Sequence, residues 1–178
     1  MIKQLPTKVK TYNLINLPIG IDFPYFSQTL QPTRTNNMTI DIIGAGIGGL
    51  TTAIALEQKG INIRIFERSE QIKAVGAGII LANNAMQVYE KLGLRKIIEE
   101  NGNPISSMNI TKSNLKPLSK IDLSYFEQKH NIKNIAIHRG KLQQILIDRL
   151  NTKIELKHKL ISIDKKANAY SLKFENGK

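Results

Sequence analysis

An α/β fold is predicted: one strand–helix–strand unit, then a region of β-hairpins or β-sheet. Three observations carry the prediction. The apolar residues Ile40, Ile42 and Ile43 run directly into the turn Gly44-Ala45-Gly46-Ile47-Gly48-Gly49. An amphipathic stretch follows, with Leu50 and Ile54 on one face. A second apolar run, Ile61, Ile63, Ile65 and Phe66, begins just after Gly60. Strand, helix and strand within about 30 residues make a βαβ unit.

Residues 1–37 stand apart from this pattern. They hold Pro6, Pro18, Pro24 and Pro32 and show no sustained periodicity, so they read as a loosely ordered extension. The extension is either a region upstream of a start at Met38 or an arm packed on the surface. Residues 38–178 form the domain. Its first strand is nearly all apolar, which suits burial on both faces of a parallel sheet. The following helix buries a stripe of Ile47, Leu50, Ile54 and Ala55, and Gly60 ends it.

Residues 71–84, QIKAVGAGIILANN, read as a loop. Asn83 or Asn84 caps a helix carrying Ala85, Val88, Tyr89 and Leu92. Gly93 breaks that helix, and residues 94–100 form another short one. Residues 105–110 and 118–123 alternate as strands around a Lys-Ser-Asn turn. Residues 135–138 form a further strand. Residues 140–150 form a helix with Leu142, Ile145, Leu146 and Leu150 on one face. Residues 154–156, 160–163 and 170–174 close the pattern as three strands. Asn176-Gly177 is a hairpin signal with no strand after it, and the strand–helix rhythm does not repeat. Both features predict a truncated domain.

Composition narrows the function classes. A chain of 178 residues buries one core. It has no cysteine, which excludes disulfides, thiolate metal sites and cysteine nucleophiles and suits a reducing cytoplasm. No apolar run approaches the ~18–20 residues of a membrane span, and the first segment lacks the apolar stretch of a signal peptide. The formal net charge is +12, but the surplus lies in scattered lysines such as Lys59, Lys91, Lys112 and Lys129. A reader of phosphate backbones clusters its charge among arginines and aromatics, so no nucleic-acid partner is expected. His130, His138 and His158 lack metal-ligand spacing, and no G-x-S-x-G occurs. No metal site is expected and no catalytic residue is assigned.

The glycine turn carries the chemistry. In G-x-G-x-x-G, Gly44 permits the tight turn off the strand. Gly46, lacking Cβ, lets the main chain approach a pyrophosphate. Gly49 lets the helix pack close to the sheet. The amides that open the helix then face the anion. Glu67 ends the second strand about 20 residues further on, where an acid accepts hydrogen bonds from ribose hydroxyls. A carboxylate there repels a 2′-phosphate, which excludes NADP at this site and leaves FAD and NAD.

Four ordered blocks bear a resemblance: GAGIGGL, IFER, VGAGIILANNAMQVYEKLGL and IHRGKLQQIL. Together they resemble the FAD-dependent aromatic-ring monooxygenases of the para-hydroxybenzoate hydroxylase fold, over residues 38–178 and not over the first 37. The resemblance implies that Gly44, Gly46 and Gly49 hold the FAD pyrophosphate and that Glu67, with Arg68 beside it, binds the adenosine ribose. It implies that Ile80 contacts the cofactor from the loop after Val75-Gly76-Ala77-Gly78. Arg139 would reach the FAD from a helix start, Leu160 would sit near the adenine, and Lys73 stands where many members place a basic residue. The implied activity is hydroxylation of an aromatic or similar small molecule by O2, with NAD(P)H reducing the flavin. The cofactor carries such chemistry, while the protein orients it and excludes water.

This sequence departs from the family in lacking the later Asp-Gly and Gly-Asp-Ala segments, so the chain alone is expected to bind FAD weakly or not at all. Other readings compete: another FAD- or NAD-dependent oxidoreductase, or a non-catalytic nucleotide-binding remnant. Oligomeric state and substrate identity stay open.

Overall fold

Thr39–Ile43 (β1) and Asn62–Phe66 (β2) pair in parallel, with Ile42 opposite Ile65 and Ile43 opposite Phe66. The computed structural model describes residues 39–73, 76–167 and 169–178. The predicted extension, Met38 and Val75 lie outside those residues. Parallel strands need a long crossover, and the helix Ile47–Glu57 (α1) provides it. Its buried residues are Leu50, Ala53 and Ile54, while Ile47 and Ala55 sit at the margin. Gly60, at φ +67°, reverses the chain into β2. Ile154–Glu155 (β8) adds to the far side of β2, also in parallel, giving the order β1-β2-β8. The expected two-sided burial of β1 therefore holds only in part. Ile42 is buried, but Ile43, pointing to the opposite face of the sheet, is 44% exposed.

A second, antiparallel sheet has Asn134–His138 (β7) between Gly78–Leu81 (β3) and Asn103–Ile105 (β4). β3 lies within residues 71–84, which the sequence presents as a loop. Its partner β7 is more than 50 residues away, so no local signal announces the pairing. The predicted strand 105–110 divides in two. Ile105 pairs with β7, whereas Ser107–Thr111 (β5) pairs with Pro117–Asp122 (β6) as a separate ribbon.

Asn83–Lys91 (α2) and Arg95–Glu100 (α3) follow β3 and pack beside β7. Neither asparagine caps α2: Ala82 occupies the cap position, and Asn83 is buried. Asn83 donates its backbone N–H to Asn134 Oδ1 at 2.8 Å and its side-chain amide to the Ile132 carbonyl at 2.6 Å. Glu127, from the helix Ser124–His130 (α4), accepts from the Asn134 side chain at 3.2 Å. A buried amide needs such partners, so Asn83 serves the interior rather than the helix end. α4 was not predicted. It buries no residue and so shows no apolar stripe.

Arg139–Arg149 (α5) buries Leu142, Ile145 and Leu146, and packs on α1. One apolar core joins the halves through Leu50, Ile54, Ile65, Met86, Ile98 and Leu142. Leu160–Lys165 (β9) and Tyr170–Phe174 (β10) form a hairpin. Phe174 fastens it to the parallel sheet, with ring centroids 4.7 Å from Phe66 and 5.0 Å from His158. Asn176-Gly177 does turn: the Gly177 N–H donates to the Phe174 carbonyl at 3.1 Å.

Candidate functional site

The turn between β1 and α1 shows three glycines under three different constraints. Gly44 has φ +102°, a conformation that L side chains rarely adopt, and its N–H donates to the Phe66 carbonyl at 2.7 Å. A Cβ at Gly49 would collide with the Gly44 carbonyl oxygen, so helix and strand can approach only without one. Gly46 differs from both. Its φ is −75°, and a Cβ there would meet nothing within 4 Å. Neither its backbone nor packing against the described residues asks for glycine at 46. The space it leaves open lies over the start of α1. No described side chain caps that helix, and its first turn carries no acid. The amides of Gly46, Ile47 and Gly48 donate to no other described residue. Unsatisfied amides at a helix start, with the positive end of the dipole behind them, form an anion site.

Glu67 stands at the edge of that space. Its backbone is held on both sides: its N–H donates to the Glu155 carbonyl at 2.8 Å, and its carbonyl accepts from the His158 N–H at 2.9 Å. Its carboxylate reaches across to the turn, where Oε2 accepts the Ala45 N–H at 2.8 Å and Oε1 accepts the Ser69 N–H at 2.9 Å. Burial works to raise the Glu67 pKa. The Ala45 and Ser69 hydrogen bonds and the nearby Arg68 charge outweigh it and hold the carboxyl below its ordinary value. Each carboxylate oxygen keeps a second lone pair, so the anion can still accept from ligand hydroxyls.

A cavity of about 700 Å³ joins these groups, lined by Ala45, Gly46, Glu67, Arg68, Lys73, Gly76, Arg139 and Gln143 among others. That size is in the usual range for a small-molecule or cofactor cleft. Arg139 begins α5, where a cation is disfavoured by the helix dipole. Its side chain lies against Gly76, at φ +118°, where an added Cβ would come within 3.2 Å of Arg139 Cδ. Neither Arg139 nor Lys73 forms a salt bridge with another described residue. Arg139, Lys73 and Arg68 thus bring three cations to the cavity lining, beside Glu67 and Glu70.

Of the residues singled out from sequence, Gly46, Glu67, Arg68, Lys73 and Arg139 line this cavity, and Gly44 and Gly49 shape the turn beneath it. Ile80 and Leu160 do not line it. Ile80 projects from β3, 47% exposed, opposite Ala136. Leu160 lies in β9 opposite Phe174, in the hairpin that Phe174 fastens to Phe66 and His158. Two contributors were missed. Ser69 supplies an amide to Glu67 from two residues on, and no side-chain pattern marks it. Gln143 donates its side-chain amide to the Ala45 carbonyl at 2.8 Å. The signal for Gln143 was its place four residues after Arg139, on the same helix face.

A glycine turn opening a helix, an acid just after the neighbouring strand and cations in the cavity lining define a dinucleotide-binding α/β protein. The FAD binding domain family matches residues 37–169, and the chain belongs to that family. FAD is the family's dinucleotide, which resolves the choice between FAD and NAD that Glu67 left open. The chain is 37% identical over 109 residues to aurachin C monooxygenase/isomerase of Stigmatella aurantiaca, covering 61% of this chain and 28% of the other. It is 30% identical over 144 residues to 3-amino-4-hydroxybenzoate 2-monooxygenase of Streptomyces cremeus, covering 79% and 36%. The fold matches Klebsiella pneumoniae HpxO complexed with FAD and uric acid, with TM-score 0.68, 24% identity and coverage of 79% and 36%. It also matches the tetrameric form of 2-methyl-3-hydroxypyridine-5-carboxylic acid oxygenase, with TM-score 0.63, 25% identity and coverage of 80% and 36%. The chain spans about a third of the length of these relatives.

Proposed function

We propose that this chain supplies the pyrophosphate- and ribose-holding part of an NAD(P)H-dependent flavin monooxygenase that hydroxylates an aromatic or similar small molecule. The observation that carries the reading is the open space at Gly46: a Cβ there would meet no described atom within 4 Å, which leaves room for a ligand at the helix amides. Gly46 and the first amides of α1 hold the diphosphate. Arg139, reaching from α5, balances its charge. Glu67 accepts the adenosine ribose hydroxyls, with Arg68 beside it. Lys73 lines the same cavity, and Ile80, exposed on β3, offers the cofactor an apolar contact.

FAD held by these residues would supply the redox chemistry between NAD(P)H and O2. What this chain does is bind and orient. A substrate like those named for its relatives, an aminohydroxybenzoate or urate, is consistent with the reading. So is a cytoplasmic setting: the chain lacks cysteine, and no helix among the described residues is long and apolar enough to cross a membrane. The 178 residues alone are not a competent monooxygenase, and their affinity for FAD is weak. Purification followed by flavin absorbance and an NAD(P)H oxidation assay tests this. Faint or titratable flavin without turnover is expected. Stoichiometric flavin with NAD(P)H oxidation overturns the incompetence, and no response to FAD at any concentration overturns the binding role.

A further inference from the structure

Ala45 is gripped from both sides by described residues. Its N–H donates to Glu67 Oε2, and its carbonyl accepts from Gln143 Nε2, each at 2.8 Å. The residue itself is 1% exposed. The two grips come from different parts of the fold: Glu67 follows β2, and Gln143 lies in the middle of α5, 98 positions along the chain from Ala45.

We propose that Gln143 is a positioning residue for the diphosphate site, setting the direction of the Gly46 N–H by holding the Ala45 carbonyl. The proposal rests on the dinucleotide reading above. The Ala45 carbonyl and the Gly46 N–H belong to one planar trans peptide, so they point in opposite directions. A carbonyl drawn toward the Gln143 amide sends the Gly46 N–H the other way. Without that hold the peptide is easily turned, because rotating it changes ψ of Ala45 and φ of Gly46. A residue with no Cβ resists such a change least. The openness that lets a ligand approach Gly46 thus also leaves its amide loosely aimed, and Gln143 compensates. Glu67 cannot substitute, since it holds the preceding peptide. Gln143 also lies one helical turn from Arg139, so α5 aims the amide and presents the cation from one face.

The test uses the full chain, wild type and Q143L, titrated calorimetrically with ADP and separately with adenosine. Thermal melting controls for folding. Q143L is expected to bind ADP about tenfold more weakly, the scale of one hydrogen bond. Its adenosine affinity should stay within about twofold, and the Gly46 amide resonance of the ligand-free variant should broaden or shift. If Q143L does not fold, Q143M keeps the side-chain length without the amide and is read the same way. Parallel loss of ADP and adenosine binding would mark a purely structural role and overturn the proposal, as would unchanged ADP binding. A wild-type chain that binds neither ligand overturns the dinucleotide reading as well. Equal ADP binding by both proteins overturns only the role of Gln143.

Discussion

Two regions of this molecule contain similar apolar residues and treat them in opposite ways. In the βαβ unit, Leu50, Ile54 and Ile65 are at most 2% exposed, held between the sheet, α1 and α5. In the β5–β6 ribbon, Met108, Ile110 and Ile121 are 39%, 47% and 37% exposed, and Tyr125 and Phe126 beside it in sequence are more exposed still. The ribbon is amphipathic: Met108 pairs with Ile121 on one face, and Asn109 pairs with Lys120 on the other. Alternation specified the strands of the ribbon, and nearly continuous apolar runs those of the βαβ unit. What differs is whether another element lies opposite the apolar face, and burial follows from that.

The largest effect expected separates the two regions directly. Leu142→Ala, in the core, should cost about 3 kcal/mol, whereas Met108→Ala should cost under about 0.5. Urea unfolding of the two variants checks this, and equal losses would erase the distinction. Within the turn, Gly49→Ala forces a methyl group onto the Gly44 carbonyl and should cost about 1–3 kcal/mol. Gly46→Ala should leave stability within about 0.5 kcal/mol while weakening FAD binding at least about tenfold. If Gly46→Ala is as destabilising as Gly49→Ala, both glycines serve packing and the cavity loses its claim.

Glu67 gives a pH signature. Its carboxyl titrates lower in the folded chain than in the unfolded one, so the unfolded state takes up protons first on acidification. Its contribution is fully present well above about pH 4.5, the ordinary glutamate value, and drains away as the pH falls through the lower folded value. Glu67→Gln should flatten the acid limb of the stability profile, and thermal melts from neutral pH downward measure it. The smallest effect belongs to Arg64. Its guanidinium meets the Asp41 carboxylate at 2.7 and 2.9 Å across β1 and β2, but the pair faces solvent. Arg64→Ala should cost no more than about 1 kcal/mol, and less at high salt.

The βαβ unit was legible because its signals are local. Gly44 and Gly60 take positive φ where turns are needed, and the stripe around Leu50 and Ile54 is read within one window. β3 was missed because its partner is β7, and α4 was missed because a helix that buries nothing carries no stripe. Asn83 was misread as a cap for a related reason. An asparagine before a helix looks the same whether its amide serves the helix or a distant carbonyl. At the site, the glycines and Glu67 were readable as residue types at fixed spacing, and Arg139 only through the family resemblance. Their convergence on one cavity was not.

By itself the sequence determined the strand–turn–helix–strand, the three glycines and the acid that follows them, since each depends on backbone preferences within a few residues. Only the tertiary structure decided that Glu67 grips Ala45 from one side and Gln143 from the other. It also decided that β1 keeps an exposed Ile43 and that no described residue stands within 4 Å of a Cβ built at Gly46. Those facts depend on which distant segments the chain brings together, and hydrogen bonds and packing act across space regardless of separation along the chain.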